Sequence, residues 1–202
     1  DGNAVEAVVM DLAEPYRQAV RVCCPKAVIV ADKFHVLTHV LRALQRVCQQ
    51  VQPEASRDDA LLLRQRALFT APPLALTVTQ RQQRDRLLAT YPRLKAAWQV
   101  TQSFRRIYAA SSRAEAALAL ERWWQDVCQH GPEPFLGLRH LLTHWRDELL
   151  NYFVYPVTNG FAEGKNNIFQ NETLISIAAK HNKCVAQVIL RWVVQRGIIA
   201  LA

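Results

Sequence analysis

The chain has 202 residues, half of them apolar, and carries 25 Lys and Arg against 17 Asp and Glu, a formal net charge of +8. That size and apolar share allow one large domain or two small ones with a substantial core, and exclude a wholly disordered chain. No apolar run approaches the roughly 20 residues that span a bilayer, and no basic segment followed by an apolar one opens the sequence, so neither a membrane protein nor a secretory leader is expected.

Residues 5–10 form a valine-rich run that reads as a buried strand ending on Asp11. Residues 14–24 read as a helix with Pro15 tolerated in its first turn, and Pro25 stops it. Residues 27–31 read as a second buried strand, ending on Asp32. Strand, helix and strand make a parallel α/β unit, whose functional groups lie at the carboxyl ends of the strands. The chain then turns helical for more than a hundred residues. Val36, Val40, Leu41, Leu44, Val47 and Cys48 mark one face of a helix over about 34–50. Further helices are predicted over 58–69, over 92–108, over 112–129 and over 135–153, with one more opening at a Thr79 cap. Ser112 and Glu115 have capping-box spacing, and Gly131, Pro132 and Pro134 form a loop. A turn follows at 156–160. The end reads as helices over 171–180 and 185–196, Gly197 as a stop, and a short apolar segment, 198–202.

Three carboxylates stand out by placement: Asp11, Asp32 and Glu163. Aspartates at neighbouring parallel strand ends project toward one edge of a sheet, where hard oxygen ligands suit Mg²⁺ or Mn²⁺. On spacing alone, the preferred reading is that each aspartate simply caps the helix that follows it. The basic balance favours a nucleic-acid partner. Arg81, Arg84, Arg86, Arg105 and Arg106 are the candidate phosphate contacts, although solvated helix faces carry such arginines just as often. Trp98, Trp123, Trp124 and Trp145 suit core packing better than base stacking. Cys23, Cys24, Cys48, Cys128 and Cys184 match no zinc spacing; reduced thiols and a cytoplasmic location are the expectation.

Several motifs occur in a telling order. They are Val8-Val9-Met10-Asp11 with Tyr16, then Pro25 to Val36 with Asp32-Lys33-Phe34-His35 inside it, Leu94 to Trp98, Phe104 to Tyr108, Leu149 to Phe153, and Thr158 to Asn167 around Glu163. Together they resemble the catalytic domain of the ISL-three-type insertion-sequence transposases, over about residues 5–167. The resemblance implies a DDE enzyme with an RNase H-like fold, which uses Mg²⁺ or Mn²⁺ to cleave DNA and transfer strands at transposon ends. Asp11 resembles the second catalytic aspartate and Glu163 the final glutamate. Asp32 and His35 resemble a D-x-x-H signature beside the active site. Whether Asp11 or Asp32 is the second acid stays open. The family's first aspartate lies on an earlier strand, which nothing before Val5 supplies. The chain is therefore expected to be a truncated, inactive remnant, with a non-catalytic DNA-binding role as the alternative. It is also expected to self-associate through the sheet edge that the missing strands leave open.

The last stretch resembles something else. Phe169 to Leu174, Ile177-Ala178, Val185 to Trp192 and Gln195 to Leu201 are similar to a late helix pair and strand of aldo-keto reductases, without a counterpart of that family's catalytic residues. An NADPH-dependent reductase fragment is the third and weakest reading. The expected organisation is a partial transposase domain over 1–167, with a helical insertion at about 36–155, and a reductase-like tail over 168–202. The fold class expected is an α/β start, with a partial RNase H-like sheet and a large all-helical insertion, predominantly α overall.

Overall fold

The computed structural model describes residues 5–72, 75–157 and 172–181, together with Lys183, Gln187, Val188, Arg191 and the strand Ile198–Leu201. The chain divides into two compact units. One holds Asp1–Val36 and Trp145–Ala202, the other Leu37–His144.

The first unit is built on a parallel sheet. Strands β1 (Ala7–Met10) and β2 (Val28–Ala31) pair in register, Ala7 opposite Val28 and Met10 opposite Ala31. All four residues of β1 are buried, as in a parallel sheet covered on both faces. The crossover is helix α1 (Glu14–Cys23), opened by Pro15 and closed by a 2.8 Å bond from the Cys24 N–H to the Val20 carbonyl. A third strand, β3 (Ile198–Leu201), lies parallel on the other side of β1, giving the order β2-β1-β3. Thus the apolar end of the tail is a strand, and it occupies the edge of β1 that the sequence reading leaves open.

Helix α10 (Arg146–Asn151) packs beside β2. The Asn151 amide donates to the Ile29 carbonyl at 2.8 Å and so satisfies an acceptor on the outer strand. Ala7, Val9 and Val30 share one face of the sheet, and Tyr152, Tyr155 and Val157 pack against them. A buried charge cluster ties α1 to α10. Arg17 donates to Glu148 at 3.2 Å and to Glu14, and its guanidinium lies 4.2 Å from the Trp145 ring centroid. Burial pulls the Arg17 pKa down, but its hydrogen bonds to Glu14 and Glu148 and their negative charges outweigh it and the net shift is upward.

The second unit is helical, with the rest of α2 (Lys33–Val51), then α3 (Arg57–Leu63), α4 (Ala67–Thr70), α5 (Val78–Thr90), α6 (Pro92–Ile107), α7 (Arg113–His130), α8 (Glu133–Leu136) and α9 (Arg139–His144). Its core includes Leu44, Leu68, Phe69, Leu87, Leu94, Phe104 and Phe135, all nearly inaccessible. The Trp123 indole donates to the Val100 carbonyl at 2.8 Å, and its ring meets Phe104 edge-on at 4.9 Å. Burial pushes the Cys48 thiol up to about 12.

Four expectations change. The helix predicted over 58–69 is two helices, interrupted at residues 64–66. The cap of α5 is Thr77, not Thr79, and it forms a full capping box with Gln80. The loop at 131–134 contains the start of the short helix α8. The helix predicted over 135–153 is broken into α8, α9 and α10. Among the described residues, no helix is long and apolar enough to cross a membrane.

Candidate active site

The ladder between β1 and β2 continues past both strands, because the Asp32 N–H donates to the Met10 carbonyl at 2.9 Å. This puts Asp11 and Asp32 at the same, carboxyl, end of the sheet. Their surroundings differ. Asp32 is 1% exposed. Its Oδ2 accepts the His35 backbone N–H at 3.0 Å, and its carbonyl accepts the Val36 N–H at 3.0 Å. It is the N-cap of α2, holding an otherwise unpaired amide at the helix start. Asp11 follows β1 in a loop, with 35% of its side chain exposed. Its Oδ1 lies 3.3 Å from His35 Nδ1, whose ring is exposed to the same degree.

The D-x-x-H spacing therefore has a local explanation. The cap at Asp32 fixes the first turn of α2, and three positions on, that turn presents His35 to Asp11. Sequence reasoning singled out all three residues and the structure brings them together. It did not single out Lys33 or Tyr152, although both lie inside the quoted motifs. Lys33 Nζ donates to Tyr152 Oη at 2.9 Å and lies 5.1 Å from the Tyr152 ring centroid and 5.2 Å from that of Phe34. A lysine directly after the capping aspartate, beside a phenylalanine, was the available signal.

Glu163 lies outside the described residues. Among the described residues, no group of three or more His, Cys, Asp or Glu is gathered closely enough to hold a metal ion. The half-exposed Asp11 carboxylate suits a hard divalent cation in its chemistry, whereas the Asp32 carboxylate is committed to the helix start.

The five arginines fare differently from one another. Arg84 is buried, its Nε and Nη2 bond Asp85 at 2.9 and 2.8 Å, and its guanidinium lies 5.1 Å from the Trp98 centroid. Arg86 holds the buried Asp59, which also accepts from Tyr91 Oη at 2.9 Å. Arg105 donates to the Thr70 carbonyl, and burial lowers its pKa. Arg81 is half-buried and Arg106 is exposed. Three of the five thus have structural partners in the helical unit.

A family model described as a transposase, of the DDE type and the ISL-three group, matches residues 1–176. Curated reductases match over short stretches. Aldose reductase B of Dictyostelium discoideum is 56% identical over 39 residues, 19% of this chain and 12% of that protein. The NAD(P)H-dependent D-xylose reductase of Scheffersomyces stipitis is 52% identical over 42 residues, 21% of this chain and 13% of that protein. Glyoxal reductase of Bacillus subtilis is 51% identical over 37 residues, 18% of this chain and 13% of that protein. The chain therefore spans only 12–13% of the length of these relatives. No solved structure matches the chain.

Proposed function

Since the chain belongs to the DDE transposases of the ISL-three type, we propose that it carries part of a metal-dependent centre for cutting and joining DNA, with Asp11 and Glu163 as its carboxylates. The observation that carries this reading is the contrast between the two aspartates. Asp11 is half-exposed at the carboxyl end of β1 and faces His35, while Asp32 is buried as the cap of α2. Asp11 is then the ligand, Asp32 the residue that positions His35, and His35 the group that orients the Asp11 carboxylate. Val157 packs on the sheet cluster. The six residues from there to Glu163 can reach up to about 20 Å, enough to bring it beside Asp11.

A divalent cation held there would favour attack by a water or a 3′-hydroxyl and stabilise the leaving oxygen of a phosphodiester. These 202 residues supply two of the family's three carboxylates. Made alone, they are expected to bind DNA without cutting it. The reductase matches, at 12–13% of those proteins, are too short to bring a barrel or an activity with them.

The test is Mn²⁺ binding followed by cleavage of labelled DNA, on the chain and on Asp11→Asn, His35→Ala and Glu163→Gln. Asp11→Asn should abolish Mn²⁺ binding, and His35→Ala should weaken it by roughly tenfold, as for a group that orients a ligand. Unchanged binding in Asp11→Asn would remove the assignment. Mn²⁺-dependent cleavage that disappears in Glu163→Gln would show that the 202 residues are sufficient, against the expectation.

A further inference from the structure

The first turn of α2 carries Lys33, Phe34 and His35 in succession, and only His35 is used by the reading above. Phe34 is a large apolar side chain with 45% of its surface exposed, one residue from the group that meets Asp11. Lys33 is held beside it. Its ammonium is bonded to Tyr152 Oη at 2.9 Å and lies over both the Phe34 and Tyr152 rings. Tyr152 in turn packs on the cluster of Ala7, Val9 and Val30, and its ring meets Phe153 edge-on at 5.5 Å. An ammonium has three donors, and Tyr152 takes one. The lysine is thus fixed before any ligand arrives, which lowers the ordering cost of binding an anion.

We propose that Lys33 and Phe34 form a nucleotide-holding subsite beside Asp11, in which the Phe34 ring stacks an unpaired base and the Lys33 ammonium takes the phosphate attached to it. The proposal rests on the reading of Asp11 as part of the cleavage centre. Stacking on an aromatic ring tolerates any base, because every base has a π-face. A lysine supplies a compact charge without the planar demands of an arginine. Both features suit a single-stranded tail or a frayed end, since bases in an intact duplex stay stacked on one another.

The experiment uses the 202-residue chain in EDTA. Its ligand is a duplex with a short single-stranded tail containing the fluorescent base 2-aminopurine, compared with a blunt duplex of the same sequence. Binding should quench the fluorescent base. Phe34→Leu should lose the quenching and bind the tailed DNA about tenfold more weakly, with little change on the blunt duplex, and Phe34→Trp should restore both. Lys33→Met should lower the slope of log affinity against log salt by about one, and Lys33→Arg should keep it. Wild-type binding of tailed DNA by Phe34→Leu, an equal loss on both DNAs, or no restoration by tryptophan would overturn the proposal. Mn²⁺ affinity, which Phe34→Leu should retain, reports separately on the centre. If Asp11→Asn leaves Mn²⁺ affinity unchanged, the metal assignment falls by itself, and the subsite is still judged on the tailed DNA.

Discussion

Asp59 illustrates how much a single carboxylate can do away from the candidate site. It lies in the first turn of α3, where the Ser56 hydroxyl caps its N–H at 3.2 Å, and its own oxygens accept from Arg86 and Tyr91. The Arg86 hydrogen bond holds its carboxyl below the usual carboxylate value of 3.8, against the opposing effect of burial. A depressed folded pKa means that the stabilisation is complete above about pH 4 and is lost as pH falls through the folded value. Asp59→Asn should therefore cost about 1–2 kcal/mol at neutral pH. The gap between variant and wild type in urea unfolding should narrow on acidification from pH 7 to pH 3. A gap that stays constant would mean that the charge on Asp59 contributes nothing. At this scale the sequence was partly readable. Asp11 and Asp32 stand out by position after strands, but their reading as site residues, and that of His35, comes from the family resemblance and not from spacing. The occupations of Arg84, Arg86 and Arg105 were not readable, because a helical sequence shows which residues are charged but not which distant partners they meet.

Among the elements, α6 and α7 meet at a buried tryptophan. Trp123 lies within the core, 4% exposed, with its indole N–H on the Val100 carbonyl and its ring against Phe104. Trp123→Leu removes the edge-to-face contact, leaves a void and withdraws a donor. We expect a loss of about 3 kcal/mol in unfolding free energy, with the helix content of the folded state unchanged. A loss below about 0.5 kcal/mol, the range of ordinary surface changes, would show that the pair does not join the helices. The position of these helices was legible because Pro92 and Ser112 mark their starts. The breaks at 64–66 and around Trp145 were not, since the apolar spacing there suits one long helix as well as two short ones. The sequence reads Thr79 as the cap, where the structure has Thr77, for the same kind of reason. Both precede a helical pattern, and only the reciprocal bonds to Gln80 tell them apart.

For the molecule as a whole, a net charge of +8 predicts DNA binding that is weak, indifferent to sequence and steeply dependent on salt. Titration of a blunt duplex between low and moderate salt measures this. Affinity that hardly moves would mean that phosphate contacts are not its source. The α/β start and the helical bulk could be read from the sequence because both write a local period into the chain. The third strand could not be placed, since nothing near Ile198 indicates that its partner is Ala7. That pairing has a consequence in time. β1 is the middle strand, flanked by a neighbour reached through one short helix and by another at the opposite end of the chain, beyond all the helices of the second unit. Contacts within helical hairpins close quickly, while parallel pairings across long loops are slow because the loop entropy comes before the reward. During synthesis, Leu37–His144 has its own local contacts to fold on as it emerges, whereas the pairing of β1 with β3 waits until the ribosome has delivered Ile198–Leu201. The sheet that starts before the helical unit is thus completed after it, and a halt in translation between His144 and Ile198 would leave a folded helical unit attached to a sheet still lacking the β1–β3 pairing.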